Sequence, residues 1–287
     1  MSPWIVAARP KTLSAAVVPV LAGTALAAER GRVDWLMFAC ALLGAVLIQV
    51  GTNFVNDALD FKKGTDTADR LGPLRVTQAG LLSADGVMRG AYVCFVLAAL
   101  CGVPLILRAG WPLLVVGLAS IAAAYAYTGG PYPLAYHGLG ELFVIAFFGV
   151  IAVGGAYYVQ RGMLEPAAVV MGVGVGLLAV VLLAINNLRD LANDASSNKR
   201  TMAVRFGAAF ARMEVAFAAV LPFLAVVLTA SLRGRALLLL PLLALPLAVA
   251  LLVRVARSEG AALNRSLAMA GALQWAFGLL FVLGAVL

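Results

Sequence analysis

The sequence predicts an all-α integral membrane protein: nine transmembrane helices in one bundle, with cytoplasmic loops capping a polar site. Three observations carry this. Of the 287 residues, 63% are hydrophobic and only 12% charged, against roughly 45–50% and about 25% in soluble domains. Mean hydropathy is +1.01. The apolar residues fall in blocks, and a helix needs about 20 of them to cross ~30 Å of hydrocarbon. A soluble enzyme and a disordered chain are excluded, and the whole of 1–287 reads as a single transmembrane domain.

The blocks follow in order. Residues 13–28 come after Arg9 and Lys11 and contain Ala25-Leu-Ala27, so they resemble a secretory signal. Eight further blocks already commit the chain to the membrane, so this segment is kept as the first span. The second covers 35–55, the third 87–107, and the fourth, 111–127, is short. The fifth, 139–158, ends near Tyr157, Tyr158 and Gln160, an interfacial aromatic anchor. The sixth, 166–185, carries Gly172-Val-Gly174-Val-Gly176, a spacing for close helix contact rather than nucleotide binding. The seventh and eighth, 208–232 and 236–253, are parted only by Arg233-Gly-Arg235, and the ninth is 263–286.

With the N-terminus cytoplasmic, fifteen Lys and Arg fall on the inner face and six on the outer. The positive-inside rule therefore predicts N-terminus in and C-terminus out, in a cell inner (cytoplasmic) membrane. The same rule accounts for the net charge of +8. No basic helix or aromatic-interleaved basic patch points to nucleic acid. Cys40, Cys94 and Cys101 lie inside apolar blocks as small hydrophobes, and His137 is the only histidine.

Polar residues gather in two inner loops. After the second span come Asn53, Asn56, Asp57, Asp60, Lys62, Lys63, Asp66, Asp69, Arg70 and Arg75; after the sixth come Asn186, Asn187, Arg189, Asp190, Asn193, Asp194, Lys199 and Arg200. Setting Asp57 over Asp190 puts Asn53 over Asn186, so the two segments read as a repeat, and such duplication places sites between halves. Asp57 and Asp60 are i and i+3, while Asn186, Asp190 and Asp194 step by four, so each set shares a helix face. If the two faces meet, four carboxylates and two amides converge on one pocket. Such oxygens suit Mg²⁺ completed by waters and substrate phosphates. The interleaved Lys62, Lys63, Arg70, Arg75, Arg189, Lys199 and Arg200 would meet the remaining charge of a diphosphate. Two other readings compete: a merely solvated face, which leaves the helical spacing unexplained, and an ion or proton path, which leaves the many cations unexplained. The loop from Tyr127 to Glu141, with Tyr132, Tyr136 and His137, reads either as part of an aromatic-substrate pocket or as a rigid turn.

Along its whole length the chain resembles the UbiA superfamily of intramembrane prenyltransferases. The resemblance rests on the nine blocks, Asn56-Asp57-x-x-Asp60 after the second, and Asp190-x-x-x-Asp194 after the sixth. It implies a helical bundle in the lipid bilayer that moves a polyprenyl group from polyprenyl diphosphate to an aromatic acceptor with Mg²⁺. Within the superfamily, the stretch from Gly64 to Gly80 looks most like the menaquinone-pathway branch, whose acceptor is 1,4-dihydroxy-2-naphthoate. Arg9-Pro10-Lys11-Thr12, Asn186-Asn187-x-Arg189-Asp190 and Lys199-Arg200-Thr201 also look like that branch. The Arg-Thr and Arg-Pro-Leu pattern usual in the 4-hydroxybenzoate branch is absent. By resemblance, Asp57, Asp60, Asp190 and Asp194 hold the metal, with Asn56 and Asn187 in support, and Lys199, Arg200 and Arg70 stabilise the leaving diphosphate. Asp66 departs from the family pattern: it stands six residues after Asp60 rather than four, which puts direct ligation by it in doubt.

Overall fold

The computed structural model describes residues 2–65 and 71–287, and within them every regular element is helical. The chain opens with α1 (Pro3–Ala8), closed by Arg9 in the left-handed conformation, and a 3-10 turn at Pro10–Thr12. It bends by 49° into α2 (Ser14–Ala28). Next come α3 (Trp35–Lys62), α4 (Ala84–Ala109) and α5 (Trp111–Ala126). The fifth apolar block is a composite rod, α6 (Gly140–Val144), a π-helical stretch Ile145–Ile151 and α7 (Ala152–Arg161). Then follow α8 (Pro166–Arg189), the short α9 (Leu191–Ser196) and α10 (Met202–Arg233). A 3-10 stretch Ala236–Ala244 leads into α11 (Leu245–Arg257), and α12 (Leu263–Val286) ends the fold.

Seven rods among the described residues are long and apolar enough to span a membrane, or eight if the bent pair Pro3–Thr12 and Ser14–Ala28 is one span. The expected nine is therefore not reached by this measure. The shortfall is α5, whose 16 residues rise only about 24 Å at 1.5 Å each. Helix α10 also differs from a plain rod. Gly207 has φ 85° and ψ 174°, which a residue with a Cβ adopts only at a cost. The break isolates a first turn, capped by the Thr201 hydroxyl accepting from Val204 N at 3.3 Å, and lets the span itself begin at 208.

Glycines set the tightest packing. A Cβ on Gly172 would lie 2.8 Å from Val150 Cα, and one on Gly176 would lie 3.0 Å from Ile145 Cα, so α8 rests directly on the π-helical backbone. Gly174 faces the other way, against Ala225 of α10. Small residues at such contacts let membrane helices gain dispersion and backbone proximity where no hydrophobic drive exists between them. Around this seam lies the larger core, with Tyr157, Met171, Leu178, Leu273, Phe277 and Phe281. A second core, around Phe54, Val87 and Phe95, joins α3 to α4. At one end Arg233 pairs with Glu29 at 3.1 Å and with Glu165, and donates to Leu26 O at 2.9 Å, which staples α2, α8 and α10. Large apolar side chains such as Leu100, Leu107 and Trp111 are exposed on the flanks, as a lipid-facing surface requires.

Gly172→Leu should force α8 off the π segment. Overpacking typically costs about 1–3 kcal/mol, so the purified variant should melt several degrees below wild type in the same detergent, whereas Gly155→Leu, which meets open space, should not.

Candidate active site

The polar residues sit together at the bundle end opposite the Arg233 staple, and they are buried: Asp57 is 1% exposed, Asp60 5%, Asp190 7% and Asp194 4%. That overturns a solvated face. Each carboxylate is paired, and the partner explains why nearby chain folds where it does.

The C-terminal turns of α3 are clamped from three sides. Asn53 donates to Ala8 O at 2.9 Å and to the Thr12 hydroxyl at 3.1 Å, which seats the N-terminal segment. Asp57 accepts from Val76 N at 3.3 Å, Thr77 N at 3.1 Å and the Thr77 hydroxyl at 2.5 Å, which folds the following loop back onto the helix. Asp60 accepts from Arg75 Nη2 at 3.1 Å and from the Tyr136 hydroxyl at 3.0 Å. Asn56 accepts from the Thr128 hydroxyl at 2.5 Å. Lys63 donates to Thr128 O at 2.5 Å and lies 4.5 Å over the Tyr136 ring; burial pulls its ammonium below the ordinary lysine range. Lys62 turns outward to Asp85 at 2.6 Å, in an exposed pair.

The end of α8 is built around Arg189. Its guanidinium donates twice to Asp190, at 2.8 and 2.6 Å, and also to Asn186 Oδ1 at 2.6 Å and Asn264 Oδ1 at 2.9 Å. Asn264, on α12, passes the link to Leu71 O at 2.8 Å. Asn187 turns away and donates to Glu141 Oε1 at 3.1 Å. Asp194, on α9, faces Lys199 at 3.6 Å.

Tyr136 and Asn193 bridge the halves. The Tyr136 hydroxyl touches Thr65 Oγ1 at 2.9 Å as well as Asp60, Lys199 stands 5.7 Å over its ring, and Asn193 donates to Thr65 O at 3.1 Å. Burial, with Asp190 and Asp60 close enough to repel, pushes the Asp194 carboxyl up to about 6 despite Lys199.

The structure thus brings Asp60, Arg75, Tyr136, Asp194 and Lys199 to one place, with Asp190 and Arg189 beside them. It does not form the single convergent set of four carboxylates and two amides that the spacing suggests: among the described residues no three carboxylates close on one point. Thr77 takes Asp57, and Ala8, Thr12, Thr128 and Glu141 take the amides of Asn53, Asn56 and Asn187. Arg200 is exposed and enters through its backbone, its N–H donating to Tyr136 O at 3.2 Å. Tyr132 and His137 stack on each other 3.6 Å apart, and His137 Nδ1 meets Pro133 O at 2.8 Å, so this pair shapes a turn. Asp66 and Arg70 lie outside the described residues. Thr65, Thr77 and Asn264 are residues of this end that sequence reasoning misses; the one signal for Asn264 is a polar side chain at the mouth of an apolar block. Tyr127 and Glu141 bound the loop already read as either an aromatic pocket or a rigid turn.

Beside the polar end, a cavity of about 210 Å³ runs among α2, α3, α4, α5 and the π segment, lined by apolar residues such as Ile48, Leu105, Val116, Phe143 and Phe147 and reaching Tyr127. A small polar cavity of about 10 Å³, lined by Tyr127, Glu141, Asn187 and Lys199 among others, adjoins it at Tyr127.

Residues 16–277 match the model of the UbiA prenyltransferase family. The chain belongs to the UbiA prenyltransferase family. Among its relatives, the 1,4-dihydroxy-2-naphthoate octaprenyltransferase of Mycobacterium tuberculosis is 42% identical over 73% of this chain and 72% of its own length. The enzyme of the same name from Escherichia coli is 40% identical over 73% and 70%. The fold is also that of two solved UbiA homologues. One, from Aeropyrum pernix, superposes with TM-score 0.73 at 15% identity, covering 95% of this chain and 97% of that one. The other, from Archaeoglobus fulgidus, was solved bound to DMAPP and Mg²⁺ and gives 0.65 at 13% identity over 98% and 99%.

In this UbiA protein the ionised Asp194 carboxylate should cost stability, because burial disfavours its charge. An Asp194 pKa near 6 exceeds its unfolded value of 3.8, so the penalty is absent below pH 4 and complete above pH 6, up to roughly 3 kcal/mol for two pKa units. In EDTA, melting temperature should fall between pH 4 and 7, and Asp194→Asn should flatten that slope; an unchanged slope contradicts the assignment.

Proposed function

We propose that this UbiA protein transfers a polyprenyl group from polyprenyl diphosphate to 1,4-dihydroxy-2-naphthoate with loss of CO₂ and diphosphate, the prenylation step of menaquinone biosynthesis. One observation carries it: two buried, carboxylate-bearing helix ends meet beside the mouth of an apolar cavity, in a chain about 40% identical to enzymes named for that reaction.

The donor set fits Mg²⁺. Aspartate oxygens are hard ligands, and an ion that retains waters and phosphate oxygens needs only one or two carboxylates from the protein. Asp57, Asp60, Asp190 and Asp194 would hold it, with Asp66 as a further candidate, while Asn56 and Asn187, expected in support, are bonded to Thr128 and Glu141 instead. When bound, the ion offsets the charge of the diphosphate and so eases cleavage of the allylic C–O bond. The protein does the rest. Lys199, Arg75, Arg70 and Arg200 stabilise the departing diphosphate, and the Tyr136 hydroxyl holds Asp60 in place. The apolar cavity takes the start of the prenyl chain, excludes water from the allylic carbon, and releases the remainder sideways into lipid. The ring attacks through the carbon bearing the carboxylate, and loss of CO₂ restores aromaticity.

In the same reading α5 is a short ninth span, the N-terminus is cytoplasmic, the C-terminus is outside, and the bilayer is the inner membrane. Cysteines placed at Gly64 and Asn198 should then be labelled only from the cytoplasm, and one at Gly234 only from outside; labelling of Gly64 and Gly234 from one face overturns the topology.

Purified protein with Mg²⁺, a polyprenyl diphosphate and carboxyl-labelled naphthoate should release labelled CO₂ in step with prenylated product, and Asp57→Asn or Asp190→Asn should reduce turnover at least about 100-fold. Prenylated 4-hydroxybenzoate, with no CO₂ from the naphthoate, would sink the acceptor. Solute or proton flux in liposomes that requires Asp57 and no prenyl diphosphate would move the protein to the ion-coupled transporters.

A further inference from the structure

We infer that Glu141 is the catalytic base for the acceptor, taking the proton of the ring hydroxyl adjacent to the carbon that is alkylated. The inference rests on the alkylation proposed above and names a residue for a step that reading leaves open.

Glu141 stands in the first turn of the composite fifth rod, where it lines the small polar cavity with Tyr127, Asn187, Lys199 and Thr201. Tyr127 also lines the apolar cavity. The carboxylate therefore sits at the junction between the apolar cavity and the polar end, on the side from which the polar edge of an aromatic acceptor would face the aspartates. A flat ring with oxygens along one edge is the chemistry such a junction suits.

Its bonding sets it apart. Asp60 has Arg75, Asp190 has Arg189, Asp194 has Lys199, and Asp57 is held by two backbone N–H groups and a hydroxyl. Glu141 makes no ion pair among the described residues and accepts one side-chain hydrogen bond, from Asn187 at 3.1 Å. The groups that face it are Tyr127 at the end of α5, Asn187 on α8 and Lys199 across the cavity, with Glu214 on α10 near enough to repel it. A half-buried carboxylate with no guanidinium or ammonium bonded to it has an oxygen left to accept from a substrate hydroxyl. Asn187 orients it, and its amide neither supplies nor removes a proton in the working range.

The step balances without a further reagent. The hydroxyl proton passes to Glu141 as the electron pair of the ring forms the new C–C bond to the allylic carbon, and the allylic C–O pair leaves with the diphosphate. The hydroxyl carbon becomes a carbonyl beside a tetrahedral carbon bearing both the prenyl group and the carboxylate. Such a β-keto carboxylate loses CO₂ readily, the C–C pair moving into the carbonyl to leave an enolate. The proton on Glu141 then returns to that oxygen, restoring both the hydroxyl and the base.

The test is Glu141→Gln in the full chain in nanodiscs. General-base catalysis contributes about 100- to 10,000-fold, so kcat should fall by at least about 100-fold, with KM for the naphthoate little changed. Binding of an unreactive prenyl thiodiphosphate should be unaltered. The readout that a structural role would not move is the acceptor series: naphthoates with electron-withdrawing substituents, whose hydroxyl is more acidic, should recover turnover in the variant relative to wild type. If Glu141→Gln misfolds, Glu141→Asp, with its carboxylate withdrawn by one methylene, should show the same split and the same recovery. A variant with near-wild-type kcat, a loss equal across the acceptor series, or a loss explained by failed binding of the thiodiphosphate would overturn the inference. A wild type inactive on the naphthoate but active on 4-hydroxybenzoate would instead sink the acceptor assignment, and the same comparison on that phenol would still decide the base.

Discussion

Charge cannot be buried at the end of a membrane bundle unless something comes with it, and this constraint organises the polar half of the structure. An isolated carboxylate out of water costs several kcal/mol even after relaxation. Here each aspartate brings its own compensation. Asp57 draws in the backbone at Val76 and Thr77, Asp60 draws in Arg75, Asp190 holds Arg189 in a two-point grip, and Asp194 draws in Lys199. The loops dock because the acids are there. Arg189 then reaches Asn264, and Asn264 reaches Leu71 O, so a pairing at the end of α8 also fixes α12 against the first loop. Removing one partner of such a buried pair would be expected to cost about 3–5 kcal/mol.

The same burial produces the chemistry. The acids are buried and crowded, with Asp194 pushed up to about 6 beside Asp60 and Asp190. Carboxylates that repel one another are compatible with a bound cation, and the lysine and arginine beside them with an anionic substrate. The apolar cavity begins beside it, so a molecule with a charged head and a hydrocarbon tail is matched end to end. The opposite end uses the same physics for a different purpose: Arg233, Glu29 and Glu165 are drawn together and serve to hold helices.

Much of this is written in local pattern. Blocks of apolar residues mark the spans, and the four-residue steps of Asn186, Asp190 and Asp194 mark a helix face. What the sequence hides are contacts made across long separations. Asp57 with Thr77, Tyr136 with Asp60 and Asn264 with Arg189 join residues from 20 to 76 positions apart, and nothing in their neighbourhoods announces the partner. The π segment at Ile145–Ile151 is equally silent, since it arises where Gly149 meets the backbone of α8. Gly172 and Gly176 do signal that close contact by their spacing, although not its other side. Helix α5 is legible in the sequence as a short apolar block, and it is a helix of 16 residues, below the length of the other spans. Tyr132 and His137 read from sequence either as pocket residues or as part of a rigid turn, and they stack on each other beside that turn.

The central claim is that the two aspartate-bearing ends act as one diphosphate site. A double-mutant cycle on binding tests it most directly: affinity for an unreactive polyprenyl thiodiphosphate, with Mg²⁺ present and absent, in wild type, Asp60→Asn, Asp194→Asn and the double variant. A shared site predicts binding that requires Mg²⁺, that either substitution alone largely removes, and that the double variant loses no further, a coupling well beyond the few tenths of a kcal/mol seen for independent positions. Additive losses, or binding indifferent to Mg²⁺, would mean that the two halves hold no common ligand.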